Sequence, residues 1–487
     1  MDIIIRNISD LYTFDQERRR ERGVDLRIVD GEIREIGHGV SLKGADRVLS
    51  GEGKLALPGL INTHHHFYQN VTRNVPLMQK GGLLRWLLFS YGAWSELEEE
   101  DVYAAARLSA AELLLTGVTT SMDFMYCFPQ GRRSLMDPEF QAVSELGLRF
   151  HGFRGCMPMM EGDLPVKLKK VLGIEAKDLM EDPDTILTAC ADTFSRYHDR
   201  SRGAMTRVGV GPTTVPFAMP ELLRELQRMA EERDGLLHTH LHPRPDERAL
   251  CQARFGTTPH RYLEDIGWFG PRLSLAHVTQ HTDEEIAILA KYGVSVTHSP
   301  SCHMRLGYPV APVPACVRAG VNVTIGVDGG SSNDSGDMLA ELRSTLYVHR
   351  IQGVHRDFGP EEWFDAEDVF RMATSNAAKL LRRDDIGSVE IGKMGDIILI
   401  DMNQIAYGSA MSDPLGALIY CGCNHRIDTA VVNGRIVVEN GELVSASEQE
   451  IVREANRVTR KLLEGARRRT GIDYTKALSP ELLAQLS

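Results

Sequence analysis

Leu57–His66 reads LPGLINTHHH, and this stretch decides the fold. It closes a run of mostly apolar residues, Leu55–His66, that is typical of a buried β-strand. Because side chains alternate along a strand, His64 and His66 point to one face and His65 points to the other. Two imidazoles at that spacing on one face can chelate a single metal ion. The stretch therefore predicts a strand that carries two metal ligands at its carboxyl end.

Seven further strand-like runs follow, and stretches with helical periodicity, such as Glu98–Thr116 and Met219–Arg233, lie between strands. Alternation of strand and helix is the βαβ pattern, and eight strands favour a closed barrel over a doubly wound sheet. We therefore predict an α/β fold, a (β/α)8 TIM barrel over residues 57–384. The seven runs are Thr119–Asp123, Arg149–Phe153, Thr206–Gly211, Leu236–His240, Leu273–His277, Val294–His298 and Val321–Asp328.

Short β-rich runs near both chain ends predict a second, smaller domain. Asp30-Gly31 and Asn433-Gly434 each separate two such runs, and both pairs are typical of tight hairpin turns. Because the runs flank the long middle, we expect residues 1–56 and 385–445 to pair into one composite small β-sandwich domain. Residues 446–487 have helical periodicity and a polar end, which predicts a C-terminal helical segment.

The composition is that of an ordinary globular protein and narrows the expected partners. The 487 residues are 43% hydrophobic and 25% charged, and 55 Lys and Arg against 67 Asp and Glu give a net charge of −12. Such an acidic chain repels polyanions, so we expect neither a nucleic-acid nor a membrane partner. The chain opens without a signal-peptide pattern, and its eight cysteines lack a disulfide-framework spacing. We therefore expect reduced thiols and a cytoplasmic location.

Four of the eight predicted strands end in side chains that bind metals. The first carries His64 and His66, the fifth ends at His240, the sixth at His277 and the eighth reaches Asp328. In a (β/α)8 barrel the carboxyl ends of the strands form the active site. A lone histidine is more often a packed core residue than a ligand. Four strand ends that together supply histidines and an aspartate favour a metal site instead.

The first strand also resembles the corresponding motif of the amidohydrolase superfamily, in the branch of 8-oxoguanine deaminase and the hydroxyatrazine-type (triazine) aminohydrolases. The resemblance covers almost the whole chain and implies a barrel enzyme that hydrolyses C–N bonds other than peptide bonds. The segments that carry it, besides Leu57–His66, are His64–Gln69 (HHHFYQ), Asp265–Gly270 (DIGWFG), Ser301–Leu306, Gly326–Asp334 (GVDGGSSND) and Gly392–Asp396 (GKMGD).

Carried over position by position, the resemblance implies roles for the strand-end residues. His277 is expected to polarise the substrate or hold the attacking water, and Asp328 is expected to take a proton from that water. Zinc lowers the pKa of a bound water from about 15.7 to about 7. No lysine at the fourth strand end, Arg207–Pro212, is placed to bridge a second metal. The expected ligands of one divalent ion, zinc with Fe²⁺ as the alternative, are His64, His66, His240 and Asp328.

The sequence departs from the family's pattern after the fifth strand. Deaminases of this branch read His-Leu-Ala-Glu there, and the glutamate moves protons to the ring and the leaving amine. Here the register gives His240-Leu241-His242-Pro243, and a proline side chain carries no proton. His242, Asp246 and Glu247 are nearby replacements, and we expect His242 to act because histidine titrates near neutral pH. The competing interpretation is that His242 is only a loop residue.

Two further departures fall in the expected substrate pocket. Relatives carry Asp-His-His-Tyr where this chain has Asp123-Phe124-Met125-Tyr126, and Ser-Asn where it has Cys302-His303. Gln69 is expected to bind a purine-like amide edge, and Arg154 to pair with a carbonyl or carboxylate. Each of these side chains has a structural role as its alternative. The expected substrate contacts are Tyr68, Gln69, Tyr126, Arg154 and His303.

Three hypotheses about function stay open on the sequence. The leading one is metal-dependent hydrolytic deamination of an oxidised purine, pterin or triazine by an 8-oxoguanine deaminase-like enzyme. The second keeps the metal site but hydrolyses a cyclic amide, an imide or another C–N bond without ammonia release, because Pro243 replaces the glutamate. The third is a non-enzymatic metal-binding scaffold. In each case the expected partner is a small heterocyclic molecule, and the resemblance favours a homo-oligomer.

Overall fold

The computed structural model describes the whole chain except residues 161, 243, 355–358, 423–425 and 487. Pro243, which stands where the family's glutamate is expected, therefore lies outside the described residues. Seven short strands open the chain, and they are β1 (Asp2–Ile8), β2 (Asp10–Tyr12), β3 (Arg20–Glu21), β4 (Val24–Val29), β5 (Glu32–Gly37), β6 (Arg47–Ser50) and β7 (Lys54–Pro58). Strands β5, β4, β1 and β6 form a four-stranded sheet in that order.

Eight parallel strands then form the barrel sheet, with neighbours in chain order, and the TIM-barrel prediction is confirmed. Thr63 joins the first strand to the last, because its N–H donates to the Ile325 carbonyl at 3.3 Å and its hydroxyl lies 2.8 Å from that of Thr324. The barrel strands are β8 (Leu60–Asn62), β9 (Val118–Met125), β10 (Arg149–Cys156), β11 (Thr206–Pro212), β12 (Leu236–Leu241), β13 (Leu273–His277), β14 (Ser295–His298) and β15 (Asn322–Ile325).

The first predicted run, Leu55–His66, is two strands rather than one. β7 pairs antiparallel with Ile397–Asp401 outside the barrel, whereas β8 pairs with β9 inside it. Gly59 separates them, and a Cβ there would lie 2.0 Å from Thr119 Oγ1, so glycine is required for the chain to cross between the sheets. The expected boundary at residue 57 therefore falls within β7.

Helices follow most barrel strands, and both helices predicted from periodicity are present as the second and sixth. None of the described helices combines the length and the apolar character that a bilayer crossing requires. The helices are α1 (Leu83–Trp94), α2 (Glu99–Leu115), α3 (Met136–Leu146), α4 (Asp163–Lys167), α5 (Pro183–Tyr197), α6 (Pro220–Arg233), α7 (Pro245–Phe255), α8 (Pro259–Asp265), α9 (Asp283–Tyr292), α10 (Pro300–Leu306), α11 (Val313–Arg318), α12 (Met338–Val354), α13 (Ala366–Met372), α14 (Ser375–Leu380) and α15 (Pro414–Tyr420).

Four late strands complete the additional sheet domain, and they are β16 (Ile397–Asp401), β17 (Thr429–Val432), β18 (Arg435–Glu439) and β19 (Glu442–Leu443). With three strands from the start of the chain they form a seven-stranded sheet in the order β19-β18-β17-β16-β7-β2-β3, so both chain ends contribute to it. The predicted hairpin turn Asn433-Gly434 joins β17 to β18, with φ of +50° and +70°. Buried side chains of both sheets, such as Ile5 and Ile397, share one apolar core.

Two helices end the chain, α16 (Glu448–Thr470) and α17 (Pro480–Leu486). α16 packs along α2 through one apolar face that includes Ile451, Val458 and Leu462. The neighbouring face carries ion pairs to α2 and to the residue before it, with Arg107 Nη1 2.9 Å from Glu454 Oε2 and Lys461 Nζ 2.7 Å from Glu98 Oε2. The C-terminal segment is therefore anchored to the outside of the barrel.

Candidate active site

The structure brings the strand-end side chains together at the carboxyl end of the barrel. His64 Nε2 and His66 Nε2 each lie 3.7 Å from Asp328 Oδ1, and His66 Nε2 lies 3.1 Å from His240 Nε2. His277 Nε2 lies 3.8 Å from the other carboxylate oxygen of Asp328, Oδ2. All five side chains are buried. Ligand atoms of His64, His66 and Asp328 lie close enough to one another to hold one metal ion, as do those of His64, His240 and His277.

Hydrogen bonds hold two of these histidines in the form that binds metals. His66 Nδ1 donates to the Phe124 carbonyl at 2.7 Å, and His240 Nδ1 donates to the Thr213 carbonyl at 2.6 Å. Because a carbonyl only accepts, the ring protons lie on the Nδ1 atoms and both Nε2 atoms keep a lone pair. Two lone pairs that face each other at 3.1 Å repel unless a cation lies between them. The donor set therefore fits a divalent metal ion.

His64 is held in the same form by His238, which was not among the expected site residues. His64 Nδ1 donates to His238 Nε2 at 2.9 Å, and His238 Nδ1 donates to Ser274 Oγ at 2.7 Å. That hydroxyl in turn donates to the Leu237 carbonyl at 3.3 Å, which fixes the direction of the whole chain of bonds. His64 Nε2 is left buried and without a hydrogen-bond partner among the described residues. The sequence does contain a signal for this role, because His238 lies two positions before His240 on β12 and residues two apart in a strand share a face.

The backbone is strained where two of the site residues emerge. His277 and Asp328 have φ of +79° and +65°, in the left-handed region that side chains other than glycine rarely adopt. Each such residue costs on the order of 1–3 kcal/mol, and the surrounding contacts must hold it in place. The N–H of Asp328 donates to the His64 carbonyl at 3.0 Å, and a Cβ on Gly326 would lie 2.7 Å from the backbone nitrogen of His64. The last strand and the first thus fix each other's ligands.

Burial sets the charge of the site. Removal from water lowers the pKa of His240 to about 4, and burial followed by the neighbouring imidazoles lowers the pKa values of His64 and His66 well below their ordinary range. These histidines are therefore neutral near pH 7, which is the form that coordinates a metal. Burial also raises the pKa of the Asp328 carboxyl.

A cavity of about 990 Å³ opens over these side chains. Besides His277 and Asp328, three residues predicted for substrate or proton chemistry line it, namely Gln69, Tyr126 and His242. Gln69 lies in a short 3-10 turn, Phe67–Thr72, whose first N–H donates to Asp123 at 2.5 Å. The lining also includes apolar side chains, among them Leu83, Leu87, Phe217, Leu250 and Leu306.

Three of the expected substrate contacts do not line this cavity, and we withdraw that role for them. Arg154 is buried against Glu181, with Nη1 2.9 Å from Oε2, and lies 3.4 Å over the ring centre of Phe128, so its charge is already neutralised. Tyr68 packs behind Tyr126, with ring centres 5.9 Å apart. The third, His303, places Nε2 3.1 Å from Nδ1 of His277, so it orients that ring from behind.

His242 lines the cavity, but its surroundings remove the reason for which it was expected to move protons. Its ring stacks on His277 with centres 4.4 Å apart and planes 17° from parallel. Burial, followed by the charge of Arg244, lowers the pKa of His242 well below its ordinary value. The ring is therefore neutral near pH 7 instead of titrating there.

Comparisons with known proteins agree along nearly the whole chain. The profile of the Amidohydrolase family matches residues 55–437. Hydroxydechloroatrazine ethylaminohydrolase of Pseudomonas sp. (strain ADP) is 35% identical over 471 residues, 92% of this chain and 95% of that protein. 8-Oxoguanine deaminase of Pseudomonas aeruginosa is 36% identical over 388 residues, 80% of this chain and 83% of that protein. The structure of atrazine chlorohydrolase from Arthrobacter aurescens TC1, complexed with zinc, has a TM-score of 0.87 and 32% identity, covering 94% of this chain and 100% of that chain.

A (β/α)8 barrel whose strand ends gather histidines and an aspartate around a site for a divalent metal defines a class of metal-dependent hydrolases. The chain belongs to the amidohydrolase family, as the resemblance predicted. The hypothesis of a non-enzymatic scaffold is therefore not retained.

Proposed function

We propose that the protein hydrolytically deaminates an N-heterocycle, an oxidised purine, pterin or triazine, with one zinc ion in its active site. The observation that carries this proposal is the cluster of neutral histidines and Asp328 beneath a cavity large enough for such a ring. The names of two relatives, a hydroxydechloroatrazine ethylaminohydrolase and an 8-oxoguanine deaminase, support the substrate class.

The residues around the cluster divide the chemistry between them. A zinc ion held by His64, His66, His240 and Asp328 would lower the pKa of a water molecule and polarise the substrate. Asp328 presents one carboxylate oxygen to the ligand histidines and the other to His277, so a water between Asp328 and His277 would contact both side chains. Asp328 accepts a proton from that water, and His277 steadies the charge that develops on the substrate.

Gln69 is the side chain best placed to recognise a heterocycle. It is 1% exposed, lines the cavity, and its Oε1 has no hydrogen-bond partner among the described residues. An amide offers both an acceptor and a donor, which matches the adjacent N–H and carbonyl groups of an oxidised purine or a hydroxylated triazine. Leaving that acceptor buried and unmatched costs free energy, which a substrate N–H would recover.

Ammonia release is the direct test. The zinc-loaded protein, and separately the iron-loaded protein, would be assayed against a panel of oxidised purines, pterins and hydroxylated triazines, with the chelated protein as control. Metal-dependent ammonia from one ring class supports deamination and identifies the substrate. Substrate consumption without ammonia would instead favour the second candidate, hydrolysis of a cyclic amide or imide, for which the observation is Pro243 in place of the family's glutamate.

A further inference from the structure

Deamination needs a group that gives a proton to the ring and helps expel ammonia, and the family's glutamate for that task is replaced here by proline. Four carboxyl side chains line the cavity among the described residues, and they are Asp163, Asp246, Glu247 and Asp328. Asp328 belongs to the metal site. We propose that Glu247 is the catalytic acid and base that gives a proton to the ring nitrogen and takes one from the hydroxyl group on the reacting carbon, an inference that rests on the proposed function.

The fold turns Glu247 back toward the fifth strand. It lies in the first turn of α7, which begins at Pro245, whereas β12 ends at Leu241. Its Oε2 accepts the N–H of His242 at 3.2 Å, and its Oε1 accepts the hydroxyl of Thr214 at 3.4 Å. Thr214 pairs with His240 in an isolated parallel bridge, so both contacts of the carboxyl lie beside a metal ligand. The Glu247 side chain, four positions after Pro243 in the sequence, thus lies beside the end of β12.

The surroundings of Glu247 suit a group that both gives and takes a proton. The residue is 7% exposed, and burial raises the pKa of its carboxyl above the ordinary value, toward the pH at which an enzyme works. Arg244 opposes this rise through its positive charge, as do the two backbone N–H groups of Arg244 and His242, whereas the charge of Asp246 adds to it. Arg248 and Cys251, both on α7, also interact electrostatically with Glu247.

The other candidates are less suited to the same role. Asp246 is ion-paired with Arg244, at 2.7 Å between Oδ2 and Nη2, and its side chain is 52% exposed. Burial alone would raise the pKa of Asp246, but the hydrogen bond from Arg244 holds it below its ordinary value. Asp163 is exposed at the start of α4. The ring of His242 is held by stacking on His277, with ring centres 4.4 Å apart.

Two carboxyl groups, those of Asp328 and Glu247, are enough to carry every proton that the reaction transfers. As water adds to the ring carbon, Asp328 takes one of its protons and the protonated Glu247 gives its own proton to the ring nitrogen. When the C–N bond breaks, Asp328 returns its proton to the departing amine, which leaves as ammonia. The carboxylate of Glu247 takes the remaining hydroxyl proton as the new carbonyl forms. Both carboxyls end as they began, and one water is consumed for each ammonia released.

The test compares two leaving groups on one ring in Glu247→Gln and in the matched control Glu225→Gln, both zinc-loaded; Glu225 is 46% exposed on α6 and is not among the residues that line the cavity. We expect Glu247→Gln to lower kcat about 10²–10⁴-fold for the amino compound, with KM little changed and zinc content intact. The loss should be smaller for the chloro analogue, because chloride leaves without a proton, and the pH dependence of kcat should lose one titration. Glu225→Gln should stay within a few-fold of the wild type for both compounds.

Equal losses for the two leaving groups, or a kcat within about three-fold of wild type, would overturn the role of Glu247. Should Glu247→Gln not fold, Glu247→Asp keeps an acid at a shifted position, and the ratio of amino to chloro turnover must then fall as well; an unchanged ratio would overturn the proposal. Failure of the proposed function shows separately, because in that case the wild-type protein itself releases no ammonia from any member of the panel.

Discussion

Single hydrogen bonds decide which nitrogen each ligand histidine offers, and His238 is the clearest case. His238→Phe removes the acceptor for the Nδ1 proton of His64, so the ring is free to rotate or to change tautomer. We expect zinc affinity to fall about 10–100-fold, as is typical when an orienting partner of a ligand is lost. Competition with a chromophoric chelator would measure it. His238→Gln keeps an acceptor oxygen and serves as the control; wild-type affinity in the Phe variant would contradict the role.

Asp328 faces both the ligand histidines and His277, so its two oxygens serve different purposes. Asp328→Asn keeps the shape of the side chain but removes the charge and the proton acceptor. We expect the rate of ammonia release to fall at least about 10²-fold, since this is the usual contribution of a positioned base. Metal content measured on the same sample separates loss of zinc from loss of the base. Full turnover in this variant would contradict the proposed chemistry.

Residue identity predicted part of the site, because strand alternation places His64 and His66 on one face and a predicted strand ends at His240. Arg154 shows where that reasoning ends. Its partner Glu181 lies 27 positions away outside the barrel strands, and no periodicity reveals that the two meet. The same holds for His303, since only the packing of α10 shows that it stands behind His277.

At the scale of elements, the close approach of β15 to the first ligand depends on glycine. A Cβ on Gly326 would lie 2.7 Å from the backbone nitrogen of His64, too close for either strand end to stay in place. We expect Gly326→Ala to reduce the free energy of unfolding by about 1–3 kcal/mol and to weaken zinc binding. The control is Gly37→Ala, where nothing lies within 4 Å of the added atom. Urea unfolding would measure the loss in the free energy of unfolding for both variants. Equal losses in the two variants would argue against a steric cause.

Element positions were largely predictable, since all eight barrel strands overlap the runs expected from hydrophobic pattern. The division of Leu55–His66 was not, because β7 and β8 are both buried and the pattern is continuous across them. What divides them is a partner change at Gly59, and partners are properties of the folded chain. Helix α7 was not predicted from the sequence, so the position of Glu247 near the end of β12 could not be argued beforehand.

Over the whole molecule, buried histidines make stability depend on pH. Twelve described histidines have pKa values that burial holds below the ordinary 6.5, so they stay neutral in the fold but take up protons once unfolded. A histidine whose pKa is lowered in the folded state does not change the free energy of unfolding above pH 6.5. As the pH falls below 6.5, it destabilises the fold. Each extra proton taken up on unfolding changes the free energy of unfolding by about 1.4 kcal/mol per pH unit.

Buried acids oppose this effect. Burial raises the pKa of Glu341 to about 7 and also raises the pKa of Asp123, so the folded protein binds these protons more readily than the unfolded chain does. Because the histidines outnumber such acids, we expect the free energy of unfolding to fall between pH 7 and pH 5.5 with net uptake of several protons. Urea unfolding across this range would measure the slope. A stability that is flat or rises toward pH 5.5 would contradict the prediction.

The one-residue link at Gly59 limits how far the barrel can be separated from the additional sheet. The pairing of β7 with β16 sets the position of β8 along the barrel axis, and with it the positions of His64 and His66. A fragment starting at residue 57 would cut through β7 and leave two ligands on a free chain end. We therefore expect that the barrel cannot be transplanted as an autonomous unit. New substrate specificities would then have to come from changes in the loops that surround the cavity, while the barrel and the sheet formed by both chain ends stay together as one unit.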